Sequence, residues 1–329
     1  MSDLALLDPA GDPASYTDAL MKYASREVSG FLIPATVSFT SAVLARFLRK
    51  FKVPYEDIYY RHMYDPGLVT NWISRRELPY IEYQVADGCN MRCSACSHYS
   101  QLVKGAVLSD LEETKKGFML LKDYFENVCL IRVMGGEPLM NPDLHRYIRM
   151  THEIFPKAEL EVVSNGILIT SMPQDLIDTM KELNVTLYMS YYPAMEGKAE
   201  KIDRFLAENG IGHKISVMAK EFSKVTDLSG NLDPEAEFSN CSWRFCTMLR
   251  DTRLAVCAYP FLSHYFNEYY GEDLPESGAI DLTEEGLTSE EILKRLEMPV
   301  EFCSYCRQPG VPVAWKRAGA EVPMEDIVV

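Results

Sequence analysis

The chain has 329 residues, 47% of them hydrophobic and 25% charged, which fits a folded protein with a sizeable core and excludes wholesale disorder. Its 48 acidic against 33 basic residues leave a net charge of −15, which argues against nucleic acid and anionic membrane surfaces as partners. The longest uncharged stretch, residues 28–45, contains Pro34 and the hydroxyl residues Thr36, Ser38, Thr40 and Ser41, and falls short of a bilayer span. The first residues, Met1-Ser2-Asp3-Leu4, lack the basic region that opens a signal peptide, so a cytoplasmic location with reduced thiols is expected.

Residues 1–78 read as a mainly helical extension, with an amphipathic helix over 42–51. From residue 80 onward, short apolar runs alternate with helical patterns. The runs at 80–86, 129–134, 158–164, 185–190 and 213–218 predict strands. Ser109 with Glu112 predicts a capping box, Asn141-Pro142 an N-cap with proline at the first helical position, and Met172-Pro173 another helix start. Residues 194–209 predict a helix that Gly210 ends, and 224–240 read as a Ser, Asp, Gly and Pro-rich linker.

Strand–helix–strand alternation predicts parallel strands, whose carboxyl ends are where chemistry collects. The unusual residues fall there. Cys89 follows the first strand, Gly135-Gly136-Glu137-Pro138 the second, Asn165-Gly166 the third and Ser190-Tyr191-Tyr192 the fourth.

Eight of the nine cysteines are grouped, and only Cys129, inside a strand pattern, stands alone as a core residue. Cys89, Cys93 and Cys96 have the spacing C-x3-C-x2-C, close enough on one loop to meet one soft metal centre while leaving a coordination position open. Zinc with His98 as a fourth ligand is the alternative. The second group is Cys241, Cys246, Cys257, then Cys303-x2-Cys306, for which a zinc ribbon is the alternative.

The triplet after a first strand, with Gly-Gly-Glu-Pro after a second, resembles the radical S-adenosylmethionine (SAM) superfamily over about residues 80–224. The resemblance implies an α/β fold: a partial (β/α)6 TIM-like barrel with a helical N-terminal extension. It implies a [4Fe–4S] cluster on Cys89, Cys93 and Cys96 whose open iron binds SAM, and reductive cleavage to a 5′-deoxyadenosyl radical. Gly135, Gly136, Glu137 and Pro138 would receive the methionyl amine, and Ser164, Asn165 and Ser190 would lie near the methionine or ribose. That family usually has an aromatic residue where this chain has Ala95, leaving His98 or Tyr99 to cover the adenine.

The later cysteines are similar to those of the SPASM and Twitch auxiliary-cluster domains, in which two cysteines flank a hairpin and a distant C-x2-C closes the site. The resemblance implies a second [4Fe–4S] cluster in a small C-terminal domain. Five thiols for four positions leave either Cys241 or Cys246 as first ligand, or Cys246 as a hydrogen donor to a substrate radical. The implied division is 1–78, a core barrel at 79–235, the auxiliary domain at 236–315 and a tail at 316–329.

The implied activity is oxidation or epimerisation of a small polar substrate such as a sugar, aminocyclitol or nucleotide sugar, with a flavodoxin or ferredoxin as electron donor. Modification of a ribosomal peptide is the alternative within the family. A zinc-stabilised binding module is the alternative outside it.

Overall fold

The computed structural model describes residues 4–6, 22, 30–33, 55–57, 76–241, 243–244 and 246–329. The chain divides into two compact units, Met1–Pro79 and Tyr80–Val329. In the first, the described residues include three short parallel strands in the order β1 (Leu4–Leu6), β2 (Gly30–Ile33) and β3 (Tyr55–Asp57). The helix expected over residues 42–51 lies outside the described residues.

The second unit is built around one main sheet. Its strands are β4 (Glu77–Gln84), β5 (Asn127–Met134), β6 (Glu159–Ser164), β7 (Thr186–Met189) and β8 (His213–Ile215). They lie side by side in chain order, and β5 through β8 pair in parallel. Between them run α1 (Leu111–Tyr124), α2 (Leu144–Ile154), α3 (Gln174–Glu182) and α4 (Ala199–Glu208). The sheet is open, with β8 at one edge, so this α/β unit is a partial TIM-like barrel.

Helix starts differ from the sequence reading in detail. Asp110, not Ser109, caps α1, its carboxylate accepting from the amides of Glu112 and Glu113 at 2.8 and 3.0 Å. Asn141 does not cap α2 directly. Its side chain accepts from Asp143 N at 2.9 Å in a turn that precedes the helix, whose cap is Asp143. The helix expected over 194–209 is broken by Gly197 at φ +74 into a short 3-10 turn (Pro193–Met195) and α4.

The segment read as a linker is structured. Glu221–Thr226 forms β9, and Pro234–Asn240 forms α5, started by Asp233, whose carboxylate accepts from the Glu235 and Ala236 amides. The pattern was masked because capping residues and turn residues are the same residue types.

Beyond it, β10 (Met248–Arg250) and β11 (Arg253–Ala255) form a hairpin turning through Asp251 at φ +51. This hairpin extends the main sheet. β10 pairs in parallel with β4 through Met248 and Glu82, and β12 (Ile280–Asp281) adds on outside β11. The remaining elements are α6 (Tyr259–Tyr270), α7 (Ser289–Arg295) and β13 (Cys306–Ala314), which pairs antiparallel with β9. Among the described residues no helix is long and apolar enough to cross a membrane.

The two faces of the main sheet differ in kind. Parallel partners point the same way, and side chains alternate along each strand. One face carries Ile81, Tyr83, Ile131, Val133, Leu160, Val162 and Leu187, all buried. It packs on the helices: Tyr83 meets Phe118 of α1 edge-on at 4.9 Å and bonds Thr151 of α2 at 2.8 Å. The other face carries Tyr80, Glu82, Gln84, Arg132, Glu161, Tyr188 and Lys214, four of which (Tyr80, Glu82, Gln84 and Glu161) are buried although three of those are charged or carry an amide.

Candidate functional site

The loops at the carboxyl ends of β4, β5 and β6 are tied to one another. Gly136 N donates to Ala86 O at 2.8 Å and Glu137 N to Gly88 O at 3.1 Å. A Cβ on Gly135 would lie 2.2 Å from Ala86 O, and one on Gly136 would lie 2.4 Å from Asp87 O. The glycine pair therefore has a further reason to be there besides room for a ligand: two backbones touch.

Glu137 is wholly buried, and burial raises its carboxyl to about 7. Its Oε1 accepts from Ser164 Oγ at 2.9 Å and Leu139 N at 3.1 Å, and its Oε2 from Asn165 N at 2.8 Å. The charge expected to face a methionyl amine is thus committed to holding the second and third loops together. Replacing Glu137 with Ala leaves three donors unpaired, two of them buried, so E137A is expected to lose about 2–4 kcal/mol of stability in denaturant unfolding.

Asn165 reaches back to the first loop, donating to Asn90 Oδ1 at 2.8 Å and to Cys89 Sγ at 3.4 Å. Ser190 N donates to Ser164 O at 2.9 Å, which joins the fourth strand end to the third, and the buried Pro138 opens a 3-10 turn. All seven residues expected around SAM are therefore in one connected set of loops.

Cys89, Cys93 and Cys96 lie together on the first of them. Burial pushes Cys89 up to about 11, with Cys96 adding repulsion, and Cys93 up to about 12, with repulsion from Cys96 and Cys89. Burial also raises Cys96. Three thiols that resist ionisation through burial, two of them through repulsion as well, are a donor set whose thiolate form a cationic centre would favour. Among the described residues no three His, Cys, Asp or Glu side chains converge at single-ion spacing. The chemistry of the donor set, three thiols on one loop with Asn165 and Trp315 donating to two of them, fits a thiolate-held iron–sulfur cluster.

Tyr99 does not stand free to cover an adenine. It is buried between Tyr259 and Phe266, and its hydroxyl meets Thr226 Oγ1 at 2.8 Å. His98 remains beside the triplet, held neutral by burial, which lowers it to about 4.

Asp87, one residue before Gly88 and 2% exposed, was not singled out from the sequence. Arg250 donates to both of its oxygens at 3.1 and 2.6 Å, and Tyr265 donates to Oδ2 at 2.6 Å. This bidentate pair pins the hairpin β10–β11 to the cysteine loop. Nothing in spacing alone pairs residues 163 positions apart.

Within the second cysteine group the thiols differ in what acts on them. Burial raises Cys257, which also feels Cys306, Cys241 and Cys303; Cys306 feels Cys241 and Cys303; and burial pushes Cys241 up to about 11, with Cys303 adding to it. Around them lies an aromatic core in which Tyr259 and Phe302 stack at 4.1 Å. For Cys246 the largest influence after burial is Glu82 of the polar face, followed by Cys241 and Arg132. Cys129 is half-buried in β5.

On that face Tyr80 donates to Glu82 at 2.6 Å, and Arg132 donates to Glu161 at 2.5 Å while lying over the rings of Tyr80 and Tyr188. Among the described residues neither amide atom of Gln84, 6% exposed, has a partner. Burial raises Glu82 to about 7. A carboxyl raised above its unfolded value favours the protonated folded state, so its stabilising contribution is present at low pH and fades as pH rises from about 4.5 to about 7. E82Q is expected to flatten that part of the stability profile and to exceed the parent protein by up to about 3 kcal/mol above pH 7, measured by urea unfolding across pH.

Residues 83–191 match the family model described as Radical SAM superfamily. A GTP 3′,8-cyclase of Sulfurovum sp. (strain NBC37-1) is 35% identical over 117 residues, 34% of this chain and 35% of the relative. The GTP 3′,8-cyclase of Campylobacter curvus (strain 525.92) is 24% identical over 244 residues, 73% of this chain and 69% of the relative. The matched segment thus spans about a third of the length of the first of these relatives. Among solved structures, BtrN in complex with AdoMet and 2-DOIA is 16% identical with a TM-score of 0.45, covering 70% of this chain and 94% of that one.

Proposed function

We propose, from the premise that this chain carries a radical SAM domain over residues 83–191, that it oxidises or epimerises a small polyhydroxylated substrate held on the polar face of its sheet. Radical SAM enzymes use a [4Fe–4S] cluster and SAM, which when bound supply a 5′-deoxyadenosyl radical by one-electron cleavage. Cys89, Cys93 and Cys96 are the cluster ligands in this reading. Gly135, Gly136, Glu137 and Pro138, with Ser164, Asn165 and Ser190, shape the SAM site. Cys241, Cys257, Cys303 and Cys306 hold a second cluster, and a flavodoxin or ferredoxin supplies electrons.

The observation that carries the substrate class is the charge balance of the polar face. Glu82 and Glu161 are buried, Arg132 is already paired with Glu161, and the Lys214 side chain is 66% exposed. Burial favours the protonated form of Glu82 and the Glu161 charge is matched by Arg132, so the face has no surplus of buried cations; it suits hydroxyl and amine groups and opposes a triphosphate. The unpaired Gln84 amide offers an NH2 donor group and a carbonyl acceptor on the same face, as a polyol or amino-polyol requires.

The names of the two cyclases support a second reading, a purine nucleoside triphosphate as substrate. Anaerobic assays with a panel of aminocyclitols, amino sugars, nucleotide sugars and GTP separate the two. Transfer of deuterium from a ring-labelled polyol into 5′-deoxyadenosine is the expected result, and transfer only from labelled GTP would replace the first reading by the second. C246A then sorts the outcome: a dehydrogenation survives the change, whereas an epimerisation that takes its hydrogen from this thiol stops.

A further inference from the structure

The segment expected to be a tail is bound across the cysteine loop. β13 pairs with β9 as far as Ala314 and Glu221, and Trp315 N donates to Lys220 O at 2.8 Å. The next residues run beside the triplet. Ser94 N donates to Lys316 O at 2.9 Å, and Ala318 N to Arg92 O at 2.7 Å, with Arg317 opposite Cys93 in a β-bridge. Two arginines reinforce this, Arg92 donating to Gly319 O and Arg317 to Asn90 O, both at 3.0 Å. Within this strap the Trp315 indole Nε1 donates to Cys93 Sγ at 3.1 Å, and its ring stacks on Tyr192 at 6.4 Å with 15° between the planes.

We propose that Trp315 is a positioning residue of the triplet site: its indole N–H orients the Cys93 sulfur and sets the reduction potential of the cluster that the triplet holds. A neutral thiol is a weak acceptor, whereas a thiolate accepts a charge-assisted bond about twice as strong as a neutral one. The bond therefore gains most when Cys93 carries charge. A donor to a cluster sulfur stabilises the reduced, more negative state and raises the potential. The strap thus couples the far C-terminal part of the chain to the electronics of the SAM site. The inference rests on the reading of Cys89, Cys93 and Cys96 as cluster ligands.

The test is a redox titration of the reconstituted full chain followed by electron paramagnetic resonance, comparing the parent protein with W315F and W315H. W315F keeps an aromatic ring against Tyr192 and removes the donor; W315H puts a ring N–H back. The expected result is a lower midpoint for the SAM-binding cluster in W315F, about tenfold in the reduction equilibrium or 59 mV for one electron, with partial recovery in W315H. The second cluster is the internal reference and does not move.

Equal midpoints in all three proteins at full iron content overturn the inference and leave the ligand assignment standing. Absence of any cluster at the triplet of the parent protein overturns the assignment itself. If W315F fails to retain iron, 15N-indole labelling of the parent protein decides. A 15N coupling on the SAM-binding cluster supports the proposal, and its absence rejects it.

Discussion

Cys93→Ala is expected to abolish reductive cleavage of SAM, with 5′-deoxyadenosine falling by at least about a thousandfold. Loss of an outer-shell partner of a metal site costs about 10–100-fold, and this is loss of a ligand. Of the three loop cysteines, Cys93 is the buried one, feels both neighbours and takes the Trp315 bond. The loop itself should survive. Its strap bonds run through the backbone of Arg92 and Ser94, not through the thiol. Iron content should fall by about four per chain while far-ultraviolet circular dichroism is unchanged. Full activity in this variant would remove the triplet from the mechanism.

The second large effect concerns the five later cysteines. Cys241, Cys257, Cys303 and Cys306 are coupled by mutual repulsion beside an aromatic core, whereas the largest influence on Cys246 after burial is Glu82, followed by Cys241 and Arg132. C306A, like C241A, C257A and C303A, is expected to lose about four irons, retain uncoupled SAM cleavage and lose product. It should also lower the unfolding temperature, because binding free energy at such a site is folding free energy. C246A should keep both clusters. Iron counting on the five single variants checks this, and a C246A protein short of four irons with C241A intact would exchange the two assignments.

The strand ends were legible because chemistry there is local: a triplet on one loop, a glycine pair on the next, Ser164 and Asn165 on a third. The strands themselves followed from apolar runs, and the five expected between residues 80 and 218 correspond to β4 through β8. What escaped was long-range. Asp87 and Arg250, Cys93 and Trp315, and the pairing of β10 with β4 join residues more than 160 positions apart, and no periodicity encodes them. Tyr99 shows the converse. Its place beside the triplet suggested a ligand contact, but a large apolar ring gains more by packing on Tyr259 and Phe266. The bonds from Ser164 and Asn165 to Glu137 likewise join loops 27 and 28 positions apart, which sequence spacing does not show.

The most direct measurement is the electron paramagnetic resonance spectrum of anaerobically reconstituted, dithionite-reduced protein recorded with and without SAM. An iron–sulfur signal whose g-values shift on adding SAM, and which is missing from C93A, is the predicted result. A spectrum indifferent to SAM, or a protein that binds zinc and no iron, would contradict the account.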